Sequence, residues 1–178
     1  MTKARVATVW LDGCSGCHMS FLDMDEQLIE LAGLIDLVYS PLVDVKAFPA
    51  EVDVTLVEGA VSSEEDLHKI RMIRERTTVL VSLGDCAVTG NVPAMRNLFP
   101  VKSLLRRAYE ENAAQPVAAL SNDVLPKLLE RVRPVHEVVT VDVYVPGCPP
   151  PANVILNTVR AILSGQPAQA AVNSRFGM

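Results

Sequence analysis

Five short runs of branched, apolar residues alternate with stretches of helical periodicity, and no other feature of this sequence constrains the fold more. The runs cover residues 5–11, 35–39, 52–57, 78–83 and 138–145. Short apolar runs of this kind are typical of buried strands. Parallel strands need a crossover between them, which is usually a helix. The alternation therefore predicts an α/β domain built on a doubly wound parallel sheet.

Helices are expected in most of the intervening segments. The predicted helices cover residues 20–31, 62–76, 101–111, 122–132 and 152–163. In the first of them, apolar residues recur every three or four positions, at Phe21, Met24, Leu28 and Leu31. Ser62, with Glu65 three residues later, forms a capping-box pattern. This pattern predicts that the second helix begins at Ser62.

The last predicted strand, residues 138–145, differs from the other four. Its valines alternate with Thr140, Asp142 and Tyr144. Such alternation is typical of a strand that has one face in solvent. We therefore expect this strand at a half-exposed edge of the sheet.

Residues 1–165 are expected to form a single domain. A chain of 178 residues can bury a hydrophobic core without help from disulfides, and no repeat or linker divides it. Beyond Gly165 the sequence is rich in Gln, Ala, Asn and Ser and has no periodicity. Residues 166–178 are therefore expected to form a C-terminal tail that is disordered or packed on a partner subunit.

The composition favours a partner protein over a lipid bilayer. Apolar residues make up 49% of the chain although only 4% are aromatic, and the mean hydropathy is +0.26. No run approaches the roughly 20 apolar residues that a membrane-spanning helix needs. We therefore expect no membrane span, and an apolar surface that contacts another protein.

The charges disfavour nucleic acid as a partner. The chain has 21 acidic and 16 basic residues, a net charge of -5, and its basic residues form no long patch. The short apolar segment near the N-terminus ends at Asp12, without the pattern of a signal peptide. We expect a cytoplasmic location, where thiols stay reduced and cysteines bind metal or react rather than form disulfides.

All four cysteines lie directly after predicted strands. Cys14 and Cys17 form a glycine-spaced pair after the first strand, Cys86 follows the fourth strand, and Cys148 follows the fifth. In open parallel sheets, ligands bind outside the carboxyl ends of the strands. We therefore expect the four thiols to meet at one edge of the sheet, around a single metal centre.

Several kinds of site are compatible with these cysteines. A 4Fe-4S cluster takes four thiolates, one for each iron, which matches the count. A four-cysteine zinc site also matches, although structural zinc usually uses two close-spaced Cys-x-x-Cys pairs in a small module. A thioredoxin-like redox pair at Cys14 and Cys17 would leave the other two unexplained. Four unrelated buried cysteines remain as a further alternative. The residues favour the cluster and leave the others open.

Other polar residues are expected near the same edge. Glu58 ends the third run, and it is either a solvated loop carboxylate beside the next helix or a proton acceptor or cluster neighbour; the solvated position is favoured. His18 is expected behind the ligands or at the surface, not as a ligand itself. Trp10 is assigned to core or interface packing. The two remaining histidines are expected in solvent: His68 and His136.

Four motifs in register resemble one known family. They are WLDGCSGCHMSFL at residues 10–22, VEG at 57–59, GDCA at 84–87 and PGCPP at 146–150. Together they are similar to the small subunit of nickel-iron hydrogenases, specifically the short, cytoplasmic, NAD-coupled bidirectional type. The resemblance covers residues 5–163.

The resemblance implies a flavodoxin-like domain that binds one proximal 4Fe-4S cluster. It assigns the ligands as Cys14, Cys17, Cys86 and Cys148. It also implies that Glu58 matches an acidic residue of the family close to that cluster, either as a neighbour or in proton transfer. No catalytic residue is expected in this chain, because the hydrogen-splitting site of the family lies elsewhere.

The resemblance further implies that the chain transfers electrons within an NAD-dependent hydrogenase. The nickel-iron centre would belong to a separate large subunit, and FMN and NAD to the iron-sulfur and flavin subunits of a diaphorase. The sequence lacks a twin-arginine signal and a second cysteine-rich segment. We therefore expect no export, and a single cluster from which electrons pass to the diaphorase.

Two alternatives to this assignment remain. The homologous cluster-bearing subunit of respiratory NADH:quinone oxidoreductase carries two adjacent cysteines where this chain has Cys14-x-x-Cys17. A four-cysteine, zinc-stabilised interaction module would have no redox role. Metal content separates the zinc module from both electron carriers.

Overall fold

The computed structural model describes residues 2–114 and 126–166. The strands are β1 (Ala4–Trp10), β2 (Ile35–Tyr39), β3 (Val52–Glu58), β4 (Val61–Ser63), β5 (Thr77–Leu83), β6 (Leu128–Arg133) and β7 (Val143–Val145). The α-helices are α1 (Gly16–Leu22), α2 (Glu26–Leu34), α3 (Glu64–Glu75), α4 (Gly84–Thr89), α5 (Asn91–Ala94), α6 (Val101–Arg106) and α7 (Ala152–Leu163). Short 3-10 helices cover Met95–Leu98 and Val135–Glu137, and a π-helical stretch, Arg107–Glu111, continues α6.

Within the described residues, five strands form one sheet in the order β2-β1-β3-β5-β7. Every neighbouring pair in it is parallel. Counted along the sheet alone, the order is 2-1-3-4-5, which is the flavodoxin-like order. The predicted doubly wound parallel sheet is confirmed, and β7 lies at its edge as expected.

Both faces of this sheet are buried. On one face, Phe21 of α1, Leu31 of α2 and Ile155 of α7 pack over the strands. On the other face, Ile70 and Ile73 of α3 do the same. Strands that are buried on both faces read as continuous apolar runs. This explains why the sequence located β1, β2, β3 and β5 closely.

The predicted helix 20–31 is wrong as one element, because the chain forms two helices, α1 and α2, in that region. α1 begins at Gly16 and ends at Leu22. Asp25, between the two helices, has a φ of 48°, outside the right-handed helical region. Met24, 4% exposed, and Leu31 still pack in one core cluster on the two sides of this break. The apolar periodicity therefore indicates which residues face the core but not that the helix is interrupted.

The predicted helix 122–132 is wrong over residues 126–132, where the chain is first irregular and then extended, and its first part, 122–125, lies outside the described residues. The chain forms strand β6 there, which pairs antiparallel with β4 at Ser63↔Leu128 and Val61↔Arg133. This pairing joins segments distant in sequence, so no local pattern indicates it. The predicted helices 101–111 and 152–163 are confirmed.

The predicted strand 138–145 is wrong over most of its length, because only Val143–Val145 pairs in the sheet. Just before it, the Oδ2 atom of Asp142 accepts hydrogen bonds from the Leu80 backbone N–H at 2.7 Å and from Arg74 at 2.6 Å. The Asp142 backbone N–H also donates to the carbonyl oxygen of Leu80 at 3.0 Å. The side chain of Asp142 thus replaces one of the backbone bonds of the ladder, and the paired strand begins at the next residue.

The predicted start of the α3 helix is displaced by one residue. Ser63, not Ser62, is the N-cap, and it forms a capping box with Asp66 rather than Glu65. β4 includes Ser63, so the chain stays extended until that residue. The tail prediction for 166–178 falls, beyond Gln166, outside the described residues. Within the part of the chain that the structure describes, no helix is long and apolar enough to cross a membrane.

Candidate metal centre

The cysteine loops lie at the carboxyl edge of the sheet, on both sides of its topological switch point. The strand order reverses between β1 and β3, and ligands bind in the crevice at such a point. Cys14 follows β1, and Cys17 lies in α1. Cys86 lies in α4 directly after β5, and Cys148 follows β7. All four thiols are free of disulfides.

The loops touch one another closely. Gly84, which precedes Cys86 by two residues, has a φ of 80°, and a Cβ atom there would lie 2.2 Å from the Sγ atom of Cys17. The same Cβ would lie 3.4 Å from the carbonyl oxygen of Gly147, the neighbour of Cys148. Only glycine fits between these groups. The structure therefore brings the three cysteine-bearing segments to one place.

Hydrogen bonds between the loops keep them together. The Asp85 backbone N–H donates to the carbonyl oxygen of Gly147 at 2.8 Å, and the Gly147 N–H donates to Oδ1 of Asp85 at 2.7 Å. The hydroxyl of Ser20, in α1, donates to the carbonyl oxygen of Pro150 at 2.5 Å. Asp85 thus joins the segments that carry Cys86 and Cys148, while Ser20 joins α1 to the latter.

Two donors point at sulfur atoms. The Gly16 backbone N–H lies 3.4 Å from the Sγ atom of Cys14. The Nδ2 atom of Asn91 lies 3.6 Å from the Sγ atom of Cys148. Hydrogen bonds of this kind stabilise a thiolate over a thiol. They suit cysteines that bind metal as thiolates.

Burial and neighbouring charge act on the more enclosed thiols. Cys17 is 7% exposed, and burial raises its pKa far above the usual range, with the charges of Glu58, Cys86, Cys14 and Cys148 adding to this effect. Burial also raises the pKa of Cys86; a hydrogen bond from the Val92 backbone opposes the shift, and the charges of Cys14, Cys148 and Glu58 reinforce it. These four thiols and one carboxylate therefore share one electrostatic environment. A cationic centre would relieve their mutual repulsion.

The donor set fits a cluster better than a single ion. Among residues 2–114 and 126–166, no group of three or more His, Cys, Asp or Glu side chains lies close enough to hold one metal ion. Structural zinc gathers four ligands at about 2.3 Å around one point. A cubane cluster instead takes one thiolate at each of its four irons, which separates the sulfurs.

Glu58 and His18 are both buried, which excludes one of the two positions expected for each. Glu58 is 1% exposed and His18 is 5% exposed, so the favoured solvated position for Glu58 and the surface alternative for His18 are wrong. Both the backbone N–H of His18, at 2.9 Å, and its ring atom Nδ1 bond to Oε2 of Glu58. The sequence carried one signal, the Glu58-Gly59 step. Gly59 has a φ of 90°, and a Cβ there would lie 2.7 Å from the Leu11 backbone.

The other residues that the sequence singled out differ in their exposure. Trp10 is 43% exposed, so the core assignment is wrong and interface packing stays a prediction. His68 and His136 are exposed, as expected. Asp12 is exposed as well, and its backbone pairs with Ala60 through bonds of 3.1 and 2.7 Å. This backbone bridge extends the contact between the ends of β1 and β3.

A family model matches most of the chain. Residues 14–162 match the model described as NADH ubiquinone oxidoreductase, 20 Kd subunit. The matched region contains all four cysteines and Glu58. It therefore covers the whole cysteine-bearing edge of the sheet.

Curated relatives are hydrogenase subunits. The chain is 42% identical over 170 residues to the NAD-reducing hydrogenase HoxS subunit delta of Cupriavidus necator, covering 93% of this chain and 81% of that protein. It is 36% identical over 163 residues to a subunit of the F420-non-reducing hydrogenase vhu of Methanocaldococcus jannaschii. That match covers 91% of this chain and only 57% of the relative. The chain thus spans little more than half the length of the second relative.

Solved structures agree with these relatives. A crystal structure of an NAD+-reducing NiFe-hydrogenase in the H2-reduced state matches with a TM-score of 0.88 and 42% identity, covering 93% of this chain and 94% of that one. A NiFeSe-hydrogenase from Dm. baculatum matches with a TM-score of 0.58, covering 99% of this chain and 68% of that one. At 20% identity, the latter match shows a shared fold alone.

Proposed function

The chain belongs to the family of the NADH ubiquinone oxidoreductase 20 Kd subunit and, within it, to the subunits of NAD-reducing hydrogenases; from this premise we propose its role in electron transfer. It carries one proximal 4Fe-4S cluster on Cys14, Cys17, Cys86 and Cys148. It conducts electrons between the nickel-iron centre of a large subunit and a diaphorase that holds FMN and NAD. The complex acts in the cytoplasm.

The observation that carries this proposal is the contact among three loops from β1, β5 and β7. Gly84 leaves room for the sulfur of Cys17 and lies against Gly147, so the loops could not separate without losing this packing. Cysteines distant in sequence are thereby held at one edge. Four thiols that share one charge environment are what a four-iron cluster requires.

The chain's own residues control the surroundings of the cluster. Bound there, the cluster supplies one-electron transfer at a potential set by hydrogen bonds to sulfur, net charge and solvent exposure. Gly16 and Asn91 donate toward sulfur atoms. The buried Cys17 limits access of water on one side, and Glu58 adds a carboxylate nearby.

A patch of exposed apolar residues next to Cys86 supports a docking site for the large subunit. It consists of Val92 (62% exposed), Met95 (68%), Leu98 (83%) and Phe99 (57%). Asn91, at its border, reaches the sulfur of Cys148. Apolar groups this exposed are typical of protein interfaces. We infer that the large subunit covers this patch, which brings its metal centre near the cluster.

The respiratory alternative is supported by the match to the NADH ubiquinone oxidoreductase family. The Cys14-x-x-Cys17 spacing and the hydrogenase relatives favour the hydrogenase role instead. Nickel in the isolated complex distinguishes the two. An interaction module stabilised by one zinc is disfavoured because, among the residues that the structure describes, no three His, Cys, Asp or Glu side chains are grouped closely enough to hold one metal ion.

Metal analysis of the complex tests the proposal. The chain is expressed together with its large subunit and diaphorase and purified without oxygen. We expect roughly four irons and four acid-labile sulfides for this chain's site, in addition to nickel in the large subunit and iron in the diaphorase. A single zinc at these cysteines would contradict the proposal.

Substitution of one ligand makes the test specific. In a subcomplex of this chain with the large subunit, Cys86→Ala should remove the reducible paramagnetic signal of the cluster, because one iron loses its thiolate. Ser82→Ala is the matched control on β5. Its hydroxyl is buried and has no hydrogen-bond partner among the described residues, so the signal should persist. A signal that survives Cys86→Ala unchanged would refute the ligand set.

A further inference from the structure

A chain of buried polar side chains runs behind the Cys14–Cys17 loop. Oε2 of Glu58 accepts from the backbone N–H of His18 and contacts its ring atom Nδ1. The other ring nitrogen, Nε2, lies 3.1 Å from the hydroxyl of Thr8, which donates to Ser40 at 2.8 Å. All four side chains are at most 5% exposed.

Such a network must have a structural or functional reason to persist. Burying a carboxylate and an imidazole costs free energy that only good hydrogen bonds offset. Here both nitrogen atoms of the imidazole ring have partners. Fully satisfied buried networks rigidify the segments they join. The electron-transfer role proposed above does not by itself require them.

The position of Glu58 shows which segment it restrains. Its Oε2 atom holds His18, the residue directly after Cys17. Its Oε1 atom lies 3.6 Å from the site where Gly13, directly before Cys14, would carry a Cβ. One carboxylate at the end of β3 therefore bonds to the residue after the loop that bears two of the cysteines and lies beside the residue before it.

We propose that Glu58 and His18 form a clasp that fixes the Cys14–Cys17 loop in the geometry the cluster needs, with Thr8 holding the imidazole from its other side. Both are positioning residues, and neither ligates iron. The inference rests on the electron-transfer function proposed above. It assigns a role to His18, for which the sequence offered none.

The clasp acts through hydrogen-bond geometry, and this distinguishes it from a simple effect of charge. Glu58→Gln removes the charge and keeps an oxygen that can accept from both the N–H and Nδ1 of His18. Glu58→Ala and His18→Ala each remove the contact itself. The double variant with both Glu58→Ala and His18→Ala removes the same contact and no other. Its effect should therefore match that of either single variant.

The experiment measures how fast iron leaves the reduced subcomplex of this chain and the large subunit when a ferrous chelator is added without oxygen. Loss of a residue that orients metal ligands typically weakens binding by roughly ten- to hundredfold. We expect Glu58→Ala and His18→Ala to release iron faster by this factor, with an altered paramagnetic line shape. Glu58→Gln should retain the wild-type rate and line shape.

Thr55→Val is the matched control for Thr8→Val. Both threonines are buried. The hydroxyl of Thr55, on β3, forms a 2.8 Å hydrogen bond with the hydroxyl of Thr77, on β5. Thr8→Val should speed iron release by severalfold, whereas Thr55→Val should not change it. Should Glu58→Ala fail to assemble, Glu58→Gln and the two threonine variants still decide the question.

The outcomes of this experiment test the clasp separately from the proposed electron-transfer function. A wild-type complex without a cluster signal would refute the proposed function. A normal wild-type signal, with Glu58→Ala releasing iron at the wild-type rate, would overturn the clasp alone. So would a Glu58→Gln complex that loses iron as fast as Glu58→Ala, because charge rather than geometry would then be the cause.

Discussion

The two sides of the cysteine-bearing edge are built differently. On the first side, which we call the β1–β3 side, Cys14 is exposed, but Cys17 is buried and its loop contacts the buried Glu58. On the second, the β5–β7 side, Cys148 is exposed. The neighbouring turn there presents Met95 and Leu98 to solvent. We infer that the first side holds the Cys14–Cys17 loop in place. The second side is covered by the large subunit in the complex proposed above.

The two sides also differ in what stabilises them: the first by bonds within the chain, the second by contact with another protein. On the β1–β3 side the ends of the strands are joined within the chain, because backbone bonds join Leu11 to Glu58 at 2.9 Å and Asp12 to Ala60. On the β5–β7 side, Met95 and Leu98 expose apolar area, which is stabilised only when another protein removes it from water. Changes to the buried contacts of the first side should therefore affect the cluster, and changes to the exposed apolar residues of the second should affect assembly.

The largest effect is expected where the two sides meet. In Gly84→Ala, the new Cβ would lie 2.2 Å from the sulfur of Cys17, at a φ of 80°. Overpacking together with a strained backbone should cost several kcal/mol, and we expect the isolated complex to lack the cluster. Gly33→Ala is the control, because nothing lies within 4 Å of a Cβ at Gly33 in α2. Iron analysis of both complexes checks the prediction, and a full cluster in Gly84→Ala would contradict it.

A charge on the β5–β7 side should weaken assembly and spare the cluster. Leu98→Glu would bury a carboxylate beneath the large subunit, so we expect the dissociation constant to rise by about tenfold or more. Ile29→Glu is the matched control, since Ile29 is 77% exposed and lies on α2. Binding is measured by titrating one purified subunit with the other. Equal weakening by both variants would remove the distinction between the two sides.

A smaller effect is expected when the hydrogen bond between Asp85 and Gly147, on the β5–β7 side, is removed. Asp85→Ala removes the acceptor for the Gly147 N–H. One such bond contributes about 1 kcal/mol, so iron release should rise by roughly fivefold. This is less than expected for Glu58→Ala, and the chelator assay compares the two directly. A larger effect from Asp85→Ala would reverse the proposed ranking of the sides.

The free energy of unfolding of the cluster-free chain should depend only modestly on pH. This dependence should come from the buried thiols. Burial raises the pKa of Cys17 above its ordinary value of 9.0. Below that value the thiol is neutral in both folded and unfolded chains. Above it, only the unfolded chain ionises readily, so the free energy of unfolding should fall as pH rises past about 9. Urea unfolding from pH 7 to 10 measures this, and Cys17→Ala should flatten the decline.

The sheet could be predicted from the sequence because its signals are local. β2 at Ile35–Tyr39 and α7 at Ala152–Leu163 match the predicted bounds, since each has a continuous apolar pattern with clear ends. β6 could not be predicted, because its pairing with β4 depends on a distant segment. The turn at Asp25 could not be predicted either, since the apolar residues on both sides of it keep the spacing of one continuous helix.

The candidate site was predictable only in part, for a related reason. The position of each cysteine after a strand, together with sheet topology, predicts that the loops converge. The clasp depends on the side chains of Glu58 and His18, which lie 40 residues apart in the sequence. A carboxylate after a strand is more often solvated than buried. Apart from the Glu58-Gly59 step, nothing in the local pattern indicates that Glu58 is buried.

Anomalous X-ray diffraction at the iron absorption edge, on crystals of the anaerobic complex, tests whether one iron-sulfur cluster lies among the four cysteines. We expect a strong iron signal enclosed by the sulfur atoms of all four cysteines, with Glu58 and His18 behind the Cys14–Cys17 loop and outside the coordination sphere. No iron signal at this position, or a signal that appears only at the zinc edge, would contradict it.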